Sequence, residues 1–326
     1  MKDEISKIYI EGLIKGSNKI SINRIDRDIK RIKKNLTSEK KYDKLSNNFF
    51  SLYKNEDESI LEAKKRFFLS IPKEEGALRL HQENLTKLLR IFHGICGEAG
   101  VGYALKGGSL IGAIRHSGFI PWDDDIDIIM LYSDFLKLIE YIKINLDDSF
   151  EIWYSYPSRG GFYLPKFSIK NMRFLFIDIF NLEIIDLSSS RKKMRKSFRN
   201  FRKEDGKTAL KFEGDFEKIT ELGKKHINEF QKEFTIKDKK NALAQVPCHT
   251  FLSDIHKISN ILPFREVDFE DIKTFVPNKP EKYLGEMGTF RDIYSFPTKR
   301  HMVHFNADKN IDKAYEIQEV LRKYDK

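Results

Sequence analysis

Apolar positions recur at helical spacing in the first third of this chain, and gather into short alternating or continuous runs after residue 100. Ile22, Ile25, Ile29 and Ile32 are spaced by 3, 4 and 3 residues, an amphipathic stripe with basic flanks. Phe49, Phe50, Leu52 and Tyr53 form an aromatic patch, and Phe67, Phe68 and Leu69 another. Residues 1–75 therefore read as a helical N-terminal extension that carries no chemistry of its own. Pro72 and Gly76 punctuate the chain and mark a boundary. From Ala77, the residues Leu78, Leu85, Leu88, Leu89, Phe92 and Ile95 share one face of a long helix, which Gly97 and Gly100 close.

Strands are predicted at 103–106, 125–130, 150–154, 163–169 and 173–180. A helix over 109–115 follows a glycine turn, and Ser133 reads as the cap of another helix. The expectation is a mixed α/β (α+β) catalytic domain over 76–326, with helices on one side of a small sheet. A basic helical insertion occupies 188–258, and strands at 264–269 and 272–277 precede a helix at Tyr283 and Leu284.

The chain has 326 residues and a net charge of +10, enough length for a sizeable core and a preference for anionic partners. Eight of the thirteen residues in 191–203 are basic. With Leu187, Met194, Phe198 and Phe201 on one helical face, that segment suits an anionic membrane surface, an anionic glycan or packing on the core. Cys96 and Cys248 lack disulfide or zinc spacing, and Cys96 falls on the apolar helix face. The sequence shows neither an apolar leader nor a membrane-spanning run, which predicts a cytoplasmic protein.

The chemistry concentrates in 106–130. Gly107 and Gly108 open a helix, so backbone N–H groups and the Ser109 hydroxyl can hold phosphate. Sixteen residues further on, Asp125 and Asp127 sit at i and i+2 of a strand and project together, with Cα atoms roughly 6.5–7 Å apart. Two such carboxylates clamp one hard cation or bridge two, and oxygen-only ligands beside a phosphate favour Mg²⁺. Asp123 shares their face if the strand starts early, whereas Asp124 points away. Asp178, a lone acid in an apolar strand, is the candidate third carboxylate; loop capping or pairing with a buried Arg is the alternative. Arg115 favours a phosphate contact, and His116 divides between contact and surface. Trp122 is read either as a stacking platform for a base or choline-like cation or as packing against Pro121.

The run from Gly107 to Asp127, containing Gly112, Arg115, His116, Pro121, Trp122 and the four acids, resembles the signature of the LicD family of phosphotransferases. Residues 176–180 are similar to its second motif, and Phe275 to Pro277, Tyr283, Leu284 and residues 297–301 to its C-terminal pattern. The resemblance spans about 77–305. It implies a polymerase-β-type nucleotidyltransferase core and transfer of a phospho-alcohol from a CDP-activated donor to a sugar hydroxyl, with release of CMP. It further implies Mg²⁺ on Asp125, Asp127 and Asp178, the last binding metal or activating the acceptor. Donor phosphates would lie on Gly107, Gly108 and Ser109, and Arg115 and Lys166 would neutralise charge. Arg300, His301 and His304 would close over the donor. Asn181 stands where the family often has Pro, which reads as a loop change. Residues 288–291 replace a usual Tyr-Gly-Asp element. The expected acceptor is a surface, capsular or lipid-linked glycan, with the enzyme at the inner face of the plasma membrane. Two other readings compete: a nucleotidyltransferase acting on nucleic acid, for which no RNA-binding motif is present, and a non-catalytic glycan-binding homologue.

Overall fold

A computed structural model describes residues 39–146, 148–155, 164–186, 211–212, 215–233, 241–245, 255–286, 293–294 and 310–324. The described residues fall into two compact units, one of 39–74 with Tyr294, the other running from Glu75 to Ile293 with 310–324. The stripe from Ile22 to Ile32, the 191–203 segment, Cys248, residues 288–291, Arg300, His301 and His304 lie outside them.

In the first unit, helices α1 (Glu39–Tyr53) and α2 (Ile60–Leu69) meet through the two aromatic patches. Phe50 and Phe67 pack edge to face with centroids 5.6 Å apart, and Tyr53 meets Phe67 at 5.4 Å. Ser59 and Glu62 form a reciprocal capping box that starts α2.

The second unit begins with α3 (Gly76–Ala99), the long helix the apolar spacing predicts, closed by Gly100 in the left-handed conformation. β1 (Tyr103–Leu105), α4 (Gly107–His116), β2 (Asp127–Leu131) and α5 (Tyr132–Asn145) follow. Next come β3 (Phe150–Ser155), β4 (Leu164–Ile169) and β5 (Ile177–Asp186), then α6 (Phe216–Glu233), β6 (Asn241–Gln245) and β7 (Ile255–Lys257). A short α7 (Ile258–Ile261) leads to the hairpin β8 (Arg265–Phe269) and β9 (Ile272–Val276), and α8 (Pro280–Glu286) and α9 (Ile311–Leu321) complete the unit.

Among the described residues, seven strands form one sheet with the central order β1-β2-β5-β4-β3. β6 adds to β5, and β7 to β6. Only β2 and β5 run parallel within it; the other pairs are antiparallel. This is the mixed α/β nucleotidyltransferase-like core that the resemblance implies. One sheet face packs on α3, where Phe92 meets Tyr103 at 5.1 Å and Phe167 at 5.0 Å. All three are fully buried, and each ring contributes about 1.5–3 kcal/mol by leaving water. Cys96 is buried on the same helix. No helix among the described residues is long and apolar enough to cross a membrane.

Five local expectations need correction. The strand expected from Asp125 starts at Asp127, so Asp125 lies in the preceding loop and the two acids are not i and i+2 of one strand. The helix at the glycine pair starts at Gly107, not 109, and its first residue takes a left-handed φ of +56° that glycine adopts without a Cβ clash. α5 starts at Tyr132 without a side-chain cap: β2 runs straight into it, and Asp134 accepts the Gly102 N–H instead. The strand expected at 173–180 begins at Ile177. Asn171, at φ +65°, turns the chain before it, and Arg173 pairs with Glu151 of β3 at 2.7 Å. Asn181 is no loop residue; β5 continues through it, paired with Met130 of β2.

Candidate active site

The site grows from strand register. In a sheet, directly opposed residues point to the same face. Asp127 of β2 lies opposite Asp178 of β5, and Asp178 lies opposite Lys166 of β4. Lys106, the residue after β1, donates its backbone N–H to the Asp127 carbonyl at 2.8 Å. Lys106, Asp127, Asp178 and Lys166 thus form a row of two neighbouring acids flanked by two lysines, on the face away from α3. Residues 126, 128, 129 and 130 are fully buried apolar side chains that lock β2 in this register.

Lys166 pairs with the Asp178 carboxylate, and its ammonium lies 3.5 Å from the Phe176 ring centroid. Lys106 sits 4.0 Å over the Phe180 ring. Burial pushes the Asp178 carboxyl upward, while Lys166 and Lys106 pull against it. Asp127 is held well above the usual carboxylate range by burial first, then by the charges of Asp125 and Asp178. Asp123 is raised the same way, by burial and by its neighbours Asp125 and Asp124.

The helix tip closes on these acids. A Cβ added at Gly107 would lie 3.1 Å from Asp127 Oδ2, and one at Gly108 would lie 2.5 Å from Asp123 Oδ2. The glycines are required here by the carboxylates that touch them. Ser109 is buried, and its hydroxyl oxygen accepts the Asp127 backbone N–H at 2.9 Å. It ties helix to strand and leaves its own O–H as the group that could still donate.

Arg115 is buried; its Nε donates to His116 Nε2 and its Nη1 to the Ile293 carbonyl, both at 2.9 Å. Its charge still reaches Asp123 and lowers that carboxyl against the larger raising effects. His116 is pushed down to about 3 by burial and by Arg115, so it is neutral near pH 7 and serves as an acceptor. Trp122 is 7% exposed, a packing residue rather than a ring presented to a ligand.

The chemistry of the donor set fits a hard divalent cation. Asp123, Asp124 and Asp125 each offer a carboxylate oxygen within 4.8 Å of one another. Asp123 Oδ2 is buried with no hydrogen-bond partner among the described residues. Oxygen ligands alone, at several carboxylates, suit Mg²⁺ best. The grouping differs from the expected set of Asp125, Asp127 and Asp178. Asp123 joins it, Asp124 does not turn away, and Asp178 takes Lys166 as its nearest counter-charge. One functional candidate is new, Lys106, signalled by a lysine at the end of a buried strand before two glycines; Asp123, expected beside the other acids only if the strand started early, joins them from the loop.

Residues 100–205, which hold all of this except the C-terminal contacts, match the LicD/FKTN/FKRP nucleotidyltransferase domain. This stretch is a LicD-family domain. The LicD match includes β1 to β5 and the whole charged row. Over 63 residues, 19% of this chain, it is 46% identical to the lipopolysaccharide cholinephosphotransferase LicD of Haemophilus influenzae, covering 24% of that protein. The human ribitol 5-phosphate transferase FKRP is 46% identical over 50 residues, 15% of this chain and 10% of FKRP. An uncharacterized protein of Rickettsia typhi is 37% identical over 70 residues, 22% of this chain and 20% of its own length. The chain spans about a quarter or less of the length of these curated relatives.

Proposed function

We propose that this chain is a Mg²⁺-dependent phosphotransferase that moves a phospho-alcohol group, such as phosphocholine, glycerol phosphate or ribitol phosphate, from a CDP-activated donor to a sugar hydroxyl. The acceptor would be a cell-surface or capsular glycan, free or lipid-linked, and the leaving group CMP. The observation that carries the reading is the row Lys106, Asp127, Asp178 and Lys166 beside a helix tip whose glycines touch Asp127 and Asp123. The names of the two characterised relatives, one a cholinephosphotransferase and one a ribitol phosphate transferase, support the substrate class. A cytoplasmic enzyme at the inner face of the plasma membrane accords with the net charge of +10, which favours anionic lipid.

Mg²⁺ held among Asp123, Asp124 and Asp125, with the neighbouring Asp127, would neutralise diphosphate charge as a Lewis acid. The protein's own groups do the rest. N–H groups at the start of α4 and the Lys106 ammonium take the donor's phosphates. The acceptor oxygen bonds to the phosphorus that carries the alcohol, the P–O bond to CMP breaks, and Asp178 receives the hydroxyl proton. Lys166 holds that carboxylate in line, and the raised Asp178 carboxyl is better matched to a general base than an ordinary aspartate. Phosphoryl transfer asks mainly for such positioning and charge neutralisation.

The test is incubation of the protein and Mg²⁺ with a panel of CDP-alcohols and saccharide acceptors, followed by CMP release. One CDP-alcohol should turn over well above the rest; release from none of them would refute the reading. Gly108→Ala is a second check. Its methyl group must displace the Asp123 carboxylate, so kcat/KM should fall by about 10²-fold while the circular dichroism spectrum stays native. An unchanged kcat/KM would remove Asp123 from the site.

A further inference from the structure

Residues 117–124, which join the glycine-led helix to the acids, have no regular secondary structure. Such a segment cannot hold carboxylates in place by its own ladder of hydrogen bonds, so its alignment must come from neighbours. Two neighbours supply it. On α3, Gln82 is 1% exposed, and its Nε2 donates to the carbonyls of Pro121 at 3.0 Å and Asp123 at 2.9 Å. The preceding His81 places Nε2 3.0 Å from the Asp124 carbonyl.

The other neighbour is Glu270, in the turn between β8 and β9. Its carboxylate is buried, with Oε1 accepting the Phe119 N–H at 3.1 Å and Oε2 paired to Arg79 of α3 at 2.9 Å. Its backbone N–H donates to the Ser117 carbonyl at 2.8 Å. A Cβ added at Gly118 would stand 2.3 Å from Glu270 Oε1, and one at Gly112 would stand 2.4 Å from the Gly118 carbonyl. Hairpin tip, loop and α4 are in contact without slack. Glu270 adopts a φ of +55°, a left-handed conformation that a glutamate takes only where its contacts offset the strain.

We infer that Gln82 and Glu270 are positioning residues, which fix the 117–124 backbone from opposite ends and so set the spacing of the Asp123, Asp124 and Asp125 carboxylates. The inference rests on the reading of those acids as a cation site. Neither residue touches the cation or the donor. Each acts through main-chain groups, as outer partners of a metal site do, where removal weakens metal affinity by about 10–100-fold.

The test uses the full chain stripped of metal, titrated with Mn²⁺ while free Mn²⁺ is followed by electron paramagnetic resonance. Gln82→Leu and Glu270→Gln should each weaken Mn²⁺ binding by about 10–100-fold with native circular dichroism. Amide exchange at Phe119 and Asp123 should accelerate in the metal-free variants. Asp268→Asn, which breaks only the surface pair of Asp268 with Lys273 on the same hairpin, should leave affinity at the wild-type value. If Gln82→Leu does not fold, Glu270→Gln decides alone. Affinities within twofold of wild type in the folded variants would overturn the positioning role and leave the cation site standing. Wild-type protein that takes up no Mn²⁺ would overturn both.

Discussion

Asp127→Ala is expected to lower CMP release by about 10³-fold, with the loss in kcat rather than in KM for the donor. Asp127 stands where every element of the site converges. Its backbone N–H is held by Ser109, its Oδ2 rests against Gly107, and its partner across the parallel pair is Asp178. Removing the carboxylate takes away charge stabilisation that matters most as the transferring phosphoryl group passes between oxygens. The strand itself should survive, because Ile128, Ile129 and Met130 are fully buried and keep its register. Turnover within tenfold of wild type, in a folded variant, would remove Asp127 from the chemistry.

Divalent cation should stabilise the folded protein, and the effect should grow with pH. Asp127 and Asp123 titrate well above their ordinary 3.8 in the fold. A raised carboxyl favours folding when protonated, so its stabilisation is present at low pH. That stabilisation is lost as pH climbs from 3.8 through the folded value. In metal-free buffer the acids therefore cost progressively more as pH rises above 3.8, and a cation relieves that cost. At 100 times its dissociation constant, Mg²⁺ adds about 2.7 kcal/mol, which is about 5 °C in Tm.

His116 works the other way: its depressed ring costs stability as pH falls from 6.5 toward about 3. The informative comparison is therefore between wild type and Asp127→Asn at each pH, which cancels the histidine. Without metal, the Asn variant should be the more stable at pH 7.5, with an advantage that narrows toward pH 5. It should gain less from Mg²⁺ than wild type. Equal metal-induced shifts in the two proteins, by calorimetry, would contradict the assignment.

Much of this fold is legible in the sequence because its signals are local. The apolar spacing of Leu78 to Ile95 gives α3, and Gly100 its end. The runs at 265–269 and 272–276 give a hairpin. What the sequence hides is set by partners far along the chain. β5 starts late because the turn at Asn171, with its φ of +65°, precedes it, and extends past Asn181 because β2 and β6 lie beside it.

The site divides in the same way. Asp125, Asp127 and Asp178 are visible as acids in apolar surroundings. Lys166 as the partner of Asp178 needs the β4–β5 register, which no spacing reveals. The closeness of Asp123 to Gly108 is likewise a tertiary fact, made when α4 folds back on the loop that follows it.

Since three charged side chains of the row come from separate strands and the fourth, Lys106, directly follows another, their alignment depends on counting residues within each strand. An extra residue inside 177–179 would swing Asp178 to the side packed on α3, while lengthening the connections between strands would leave it untouched. Relatives with different donors and acceptors are then free to diverge in the joins and at the sheet edges, but must keep the strand interiors in phase.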